Sequence, residues 1–139
     1  MERYRGVMPE ESRHISVVIE RPALEVYAYA RQPENLPRWA AGLATGVRHD
    51  GDDLITDSPM GEVRVRFAND NEFGVLDHEV TLPDGTVVHN PLRVIQHPEG
   101  AEVLFTVRRL GASAEDFERD CATVRSDLER LRELLTSGD

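Results

Sequence analysis

The sequence predicts an α+β fold: a seven-stranded antiparallel sheet, two short helices after its first strand, and one long C-terminal helix packed on the sheet. Two patterns carry this reading. Short segments of alternating polarity follow one another at close, regular spacing, the mark of an antiparallel meander. After them, Phe117, Cys121, Val124, Leu128, Leu131 and Leu135 step by four and three residues, which lays one narrow apolar stripe along a helix of several turns.

Each element follows in order. Residues 1–12 show little pattern and read as a loose arm, leaving 13–137 as a single domain. "HISVVIE" alternates, with Ile15, Val17 and Ile19 on one face, and is the first strand. "RPALEVYAYA" opens on a proline suited to a first helical turn and repeats Ala23, Val26, Tyr27 and Ala30 at helical spacing. Pro33 and Pro37 break that helix, so a second short one carries Trp39. Strands over about 43–49 and 52–57 pair around an Asp-Gly turn signal. Pro59 and Gly61 mark the next turn. "GEVRVRF" then puts Val63, Val65 and Phe67 on one face and Arg64 and Arg66 on the other. A hairpin over 75–94 and a strand with Val103, Phe105 and Val107 on one face complete the sheet. Ser113 caps the last helix, and Glu115 and Asp116 complement its dipole. A coiled coil is the competing use of the stripe, but the concave face of the sheet is the nearer partner. Cys121 on the stripe reads as a core residue.

Composition excludes several function classes. The chain has 139 residues, enough for one domain with a core. Its net charge of −10 makes nucleic acid and anionic membrane surfaces poor partners. No apolar run reaches bilayer-spanning length, and the N-terminus lacks the apolar segment of a signal peptide. With one cysteine there is no internal disulfide, and cytoplasmic residence is the expectation. All 16 basic residues are arginine. Phosphate loops and Schiff-base chemistry, which need lysine, are therefore absent. Five scattered histidines and one cysteine give no zinc spacing, so no metal and no cofactor is expected.

The order of elements resembles the SRPBCC superfamily of START-like and Bet v 1-like helix-grip proteins, in particular the small bacterial members grouped with polyketide cyclases and dehydrases. The resemblance covers about residues 13–135. It is carried by "ISVVIERPALEVYAYARQPENLPRWAAGL", and further by "SPMGEVRVRF" and "FGVLDHEVTLPDG". It implies a sheet curled around the C-terminal helix, with a cavity between them that takes an apolar or aromatic molecule. Fold analogy does not choose among carriers, cyclases and interaction modules.

The hairpin supplies the candidate polar groups. "LPDGT" fits a turn with Pro83 first and Gly85 left-handed, a three-residue loop. Val80 then faces Val88, His78 faces Asn90, and Leu76 faces Leu92 on the apolar side. Glu79 and His89 pair on the solvent side. A two-residue loop would shift this by one. Pro91 suggests a bulge just past Asn90, which would re-aim that side chain or turn Arg93 inward. A desolvated His78 stays neutral, and Asn90 can fix which ring nitrogen carries the proton. His78 then serves as a core group satisfied by Asn90, as an anchor for a ligand oxygen, or as a general base in a ring-closing condensation.

The expected ligand-contacting set is His78, Asn90, Tyr27, Trp39, Met60, Val65, Phe67, Leu76 and Phe105, with His78 the one catalytic candidate. Three functions follow: a binder of a small apolar or aromatic molecule, a cyclase or dehydratase, and an interaction module with a vestigial cavity. A homodimer is compatible with each.

Overall fold

The computed structural model describes residues 11–137. The chain runs β1 (Ser12–Ile19), α1 (Ala23–Arg31), a 3-10 turn (Pro33–Asn35), α2 (Leu36–Trp39) and a second 3-10 turn (Ala41–Leu43). It continues through β2 (Arg48–Asp50), β3 (Asp53–Ser58), β4 (Gly61–Phe67), β5 (His78–Thr81), β6 (Val87–Asn90), β7 (Leu92–His97) and β8 (Gly100–Arg108). α3 (Ala114–Thr136) closes the domain. The first ten residues of the expected arm lie outside the described residues; β1 already starts at Ser12, earlier than expected.

The expected single seven-stranded sheet is corrected to eight antiparallel strands among the described residues, in two sheets ordered β1-β8-β7 and β2-β3-β4-β5-β6. The extra strand comes from Pro91. It has no amide hydrogen to donate, so the ladder lapses there and one expected strand becomes β6 and β7. The chain changes partners at that residue: β6 stays with β5, while β7 joins β8.

The expected bulge is also corrected. His78 pairs with Asn90 on one side of Pro91, and Val75 bridges Arg93 on the other, in the same register. No residue is inserted. The Leu76 amide donates to the Leu92 carbonyl at 2.8 Å, so the two sheets remain stitched along this seam. Gly74 makes the close approach possible. Its φ is +72°, and a Cβ there would lie 2.1 Å from the Val94 carbonyl oxygen.

The expected strand over 43–49 shortens to β2. Residues 41–46 wind through turns instead, with Gly46 at φ +109° and its amide bonded to the Leu43 carbonyl. α3 forms as its pattern predicts. The Ser113 hydroxyl accepts from the Asp116 amide at 3.1 Å. Phe117, Cys121, Leu128 and Leu131 are buried against β1 and β8, each large apolar side chain contributing about 1.5–3 kcal/mol. Val124 and Leu135 on the same stripe are only half-buried. At Val124 the reason is a gap between helix and sheet.

Candidate functional site

That gap is a cavity of about 300 Å³. Its sheet wall carries Val63, Val65 and Phe67 from β4, His78 and Val80 from β5, Asn90 from β6, Leu92 and Phe105. Its helical wall carries Leu36 and Trp39 from α2 and Thr123, Val124, Asp127 and Leu128 from α3. Ala40, Gly42 and Leu43, between α2 and β2, and Thr56 and Ser58 from β3 complete the lining. The strand alternation places apolar side chains inward, so the walls are mainly hydrocarbon and aromatic. Polar groups interrupt them at few points.

The hairpin delivers the first. The Leu82 carbonyl accepts from the Gly85 amide at 2.9 Å, and Leu82 pairs with Thr86 around the three-residue loop. The register that follows sets His78 opposite Asn90 and Glu79 opposite His89. The His78 ring lies 4.7 Å from Phe67 and 5.8 Å from Phe105, centroid to centroid. One edge borders the open cavity, so the residue is half-buried, yet the surrounding atoms strip most water from the ring. That desolvation holds its pKa below 6.5, against weaker opposing effects of the Leu76 carbonyl and Asp77. The neutral ring has one N–H. The Leu76 carbonyl oxygen is 3.0 Å from Nδ1, which fixes the proton there. Nε2 is left with its lone pair, 3.5 Å from the Asn90 amide nitrogen. The backbone of Leu76, two residues back on the same strand, thus sets the tautomer that Asn90 was expected to set.

The second polar point is Asp127. Its Oδ1 accepts from the Ala41 amide at 3.2 Å. Burial pushes its pKa up to about 6, and the Ala41 hydrogen bond only partly offsets this. None of the ion pairs among the described residues involves it. Sequence reasoning missed Asp127. The available signal was its position, three residues after Val124 and one before Leu128, on the flank of the apolar stripe.

The structure brings together six of the nine expected contact residues: His78, Asn90, Trp39, Val65, Phe67 and Phe105. Three others do not line the cavity. Tyr27 is buried beside α1's own neighbours, its hydroxyl donating to Asp70 at 3.1 Å and accepting from the Asn71 amide at 3.0 Å. Leu76 is 2% exposed and packs in the core at the seam between the sheets. Met60 stands in the β3–β4 turn, 85% exposed. Arg93 stays outward because no bulge turns it, and it holds Asp77 at 2.6 Å.

No protein-family model matches the sequence, and no curated protein is similar to it at a significant level. Solved structures do match. DynU16, described as a protein of the dynemicin biosynthetic locus, superposes with a TM-score of 0.72 at 14% identity over 94% of this chain. This chain spans about half of DynU16, 49% of its length. MLL2253 from Mesorhizobium loti gives 0.70 at 12% identity, with 93% of this chain and 99% of that one covered. ChR145 from Cytophaga hutchinsonii gives 0.70 at 16% identity, covering 94% and 98%. The likeness is one of fold, shared with small bacterial proteins.

Proposed function

We propose that the protein is a helix-grip member of the SRPBCC superfamily that binds a small apolar or aromatic molecule in the cavity between the sheet and α3. His78 and Asn90 orient that molecule, while Trp39, Val65, Phe67 and Phe105 enclose it. The observation that carries this reading is the cavity itself: mainly apolar walls, a few convergent polar groups, and a volume of about 300 Å³, at the small end of known ligand sites. An interaction module with a vestigial cavity would need those side chains to fill this space, and they leave it open. The acidic surface argues against nucleic acid and anionic membrane as partners. No helix among the described residues is long and apolar enough to cross a membrane.

The test is native mass spectrometry of untagged protein isolated from its own source. The expected result is a reproducible adduct that disappears on denaturation. A bare mass, together with no saturable binding of small aromatic compounds, would overturn the reading.

One observation favours a second reading, an enzyme of cyclase or dehydratase type. The Leu76 carbonyl holds the His78 proton on Nδ1, so Nε2 is a neutral, desolvated base at the cavity wall. In that case product formation disappears in His78→Ala while ligand still binds.

A further inference from the structure

Several polar side chains line the cavity, and two on opposing walls, His78 and Asp127, present acceptors; the Thr56 and Ser58 hydroxyls are already spent on the Gly46 and Gly61 carbonyls. On the sheet wall, His78 Nδ1 is committed to the Leu76 carbonyl at 3.0 Å, so Nε2 carries the lone pair, met among the described residues by only a long 3.5 Å contact from the Asn90 amide that a ligand hydroxyl can displace. On the helical wall, Asp127 receives one hydrogen bond, from the Ala41 amide to Oδ1. Its other carboxylate oxygen has no hydrogen-bond partner among the described residues. Elsewhere carboxylates meet arginine: Asp53 holds Arg64 and Arg66, Asp77 holds Arg93, and Glu118 holds Arg13. Asp127 is only partly buried, so in the empty cavity water can meet its second oxygen, and a ligand that displaces that water has to supply a donor in its place.

We propose that Asp127 contacts the ligand directly, and that the two acceptor poles select an apolar molecule bearing a hydroxyl or similar donor at each end. This rests on the binding reading above and deepens it by naming the ligand's chemistry. A molecule with one donor satisfies only one pole. A molecule with an ether in place of a hydroxyl presents an acceptor to an acceptor, and in this partly solvated site it binds more weakly by about the net worth of the lost hydrogen bond.

Calorimetric titration at slightly alkaline pH, where Asp127 is ionised, tests this with three probes: a naphthalene bearing two hydroxyls at opposite ends, its monomethyl ether and its dimethyl ether. The expected wild-type affinity falls about tenfold with each hydroxyl capped. In Asp127→Asn the Asn oxygen keeps the Ala41 contact and its amide donates to hydroxyl and ether alike. The diol and the monoether then bind equally, while the diether remains about tenfold weaker. His78→Phe, which keeps an aromatic ring against Phe67 and Phe105 but offers no acceptor, removes the advantage of the diol over the monoether from the other pole. A diol advantage that survives in Asp127→Asn overturns the role of Asp127. Equal binding of all three probes to the wild type overturns both poles and leaves the cavity reading intact. If the wild type binds none of them, the binding reading falls and takes the two-pole proposal with it.

Discussion

The β5–β6 hairpin carries two histidines one residue apart in register, and they live in different media. His78 faces inward, against Phe67 and Phe105, with its pKa depressed by desolvation. His89 faces outward, 3.5 Å from the Glu79 carboxylate, with most of its surface in water. A second pair of groups shows the same contrast. Asp77 turns out to a bidentate arginine, whose hydrogen bonds hold its carboxyl below the usual range. Across the cavity Asp127 turns in, and its carboxyl rises. The direction a side chain faces, set by the two-residue period on a strand and by the period of about 3.6 residues on α3, therefore decides more than which side chains are apolar. It decides which ionisable groups keep their charge, and hence which of them can do chemistry with an uncharged guest.

The largest expected effect breaks this comparison at two neighbours on opposite faces. Leu92→Ala, at 1% exposure, removes a core side chain next to the cavity and should cost about 2–5 kcal/mol in urea denaturation. Arg93→Ala, one residue on, loses an exposed ion pair and should cost about 1 kcal/mol or less. Comparable losses at the two sites would mean that the faces are not as different as described.

Asp127 gives the next effect. Its folded pKa of about 6 exceeds the ordinary 3.8, so the folded state holds the extra proton between those values. Stability contributed by this group is present below 3.8 and is lost as pH rises through about 6. Asp127→Asn removes that loss. Because the side chain is partly exposed, solvent screens much of this cost, and a gain of about 1 kcal/mol near neutral pH is expected. No gain in thermal or urea stability would show that the carboxylate is better solvated than its position implies.

His78 carries the opposite sign. Its folded pKa lies below 6.5, so the unfolded chain binds the extra proton, and stability is lost as pH falls below 6.5. His78→Phe should flatten that limb of the stability profile; an unchanged limb would place its origin elsewhere. The smallest effect belongs to His89→Ala, expected within about 0.5 kcal/mol of wild type by urea denaturation. With both measured, the hairpin becomes a direct comparison of buried and solvated imidazole.

Several of these features were legible in the sequence for a plain reason. The α3 stripe, the β4 alternation and the hairpin register are local patterns, each set by residues within one turn or one strand pair. Pro83 and Gly85 alone were enough to place His78 opposite Asn90. The division into two sheets was not legible. Pro91 announces a missing donor, but whether the chain answers with a bulge or with a change of partner depends on β8, far away in sequence. Tyr27 and Leu76 lie on apolar faces just as Val65 does. Periodicity marks such faces without showing where opposing walls part, and a cavity is what remains when packing on both sides stops short. Asp127 escaped for the converse reason: a charge beside an apolar stripe reads as a solvated flank until the wall across from it is known.

Trp39 is the chain's sole tryptophan, and it is 5% exposed on the cavity wall. Its indole Nε1 is buried without a hydrogen-bond partner among the described residues. Light absorbed beyond the tyrosine band is therefore absorbed at one address, beside the ligand space. Under such excitation, the emission colour, lifetime and quenching of this protein are properties of that address alone. The fold carries its own optical gauge of whether the cavity is full, and no dye has to be attached to read it.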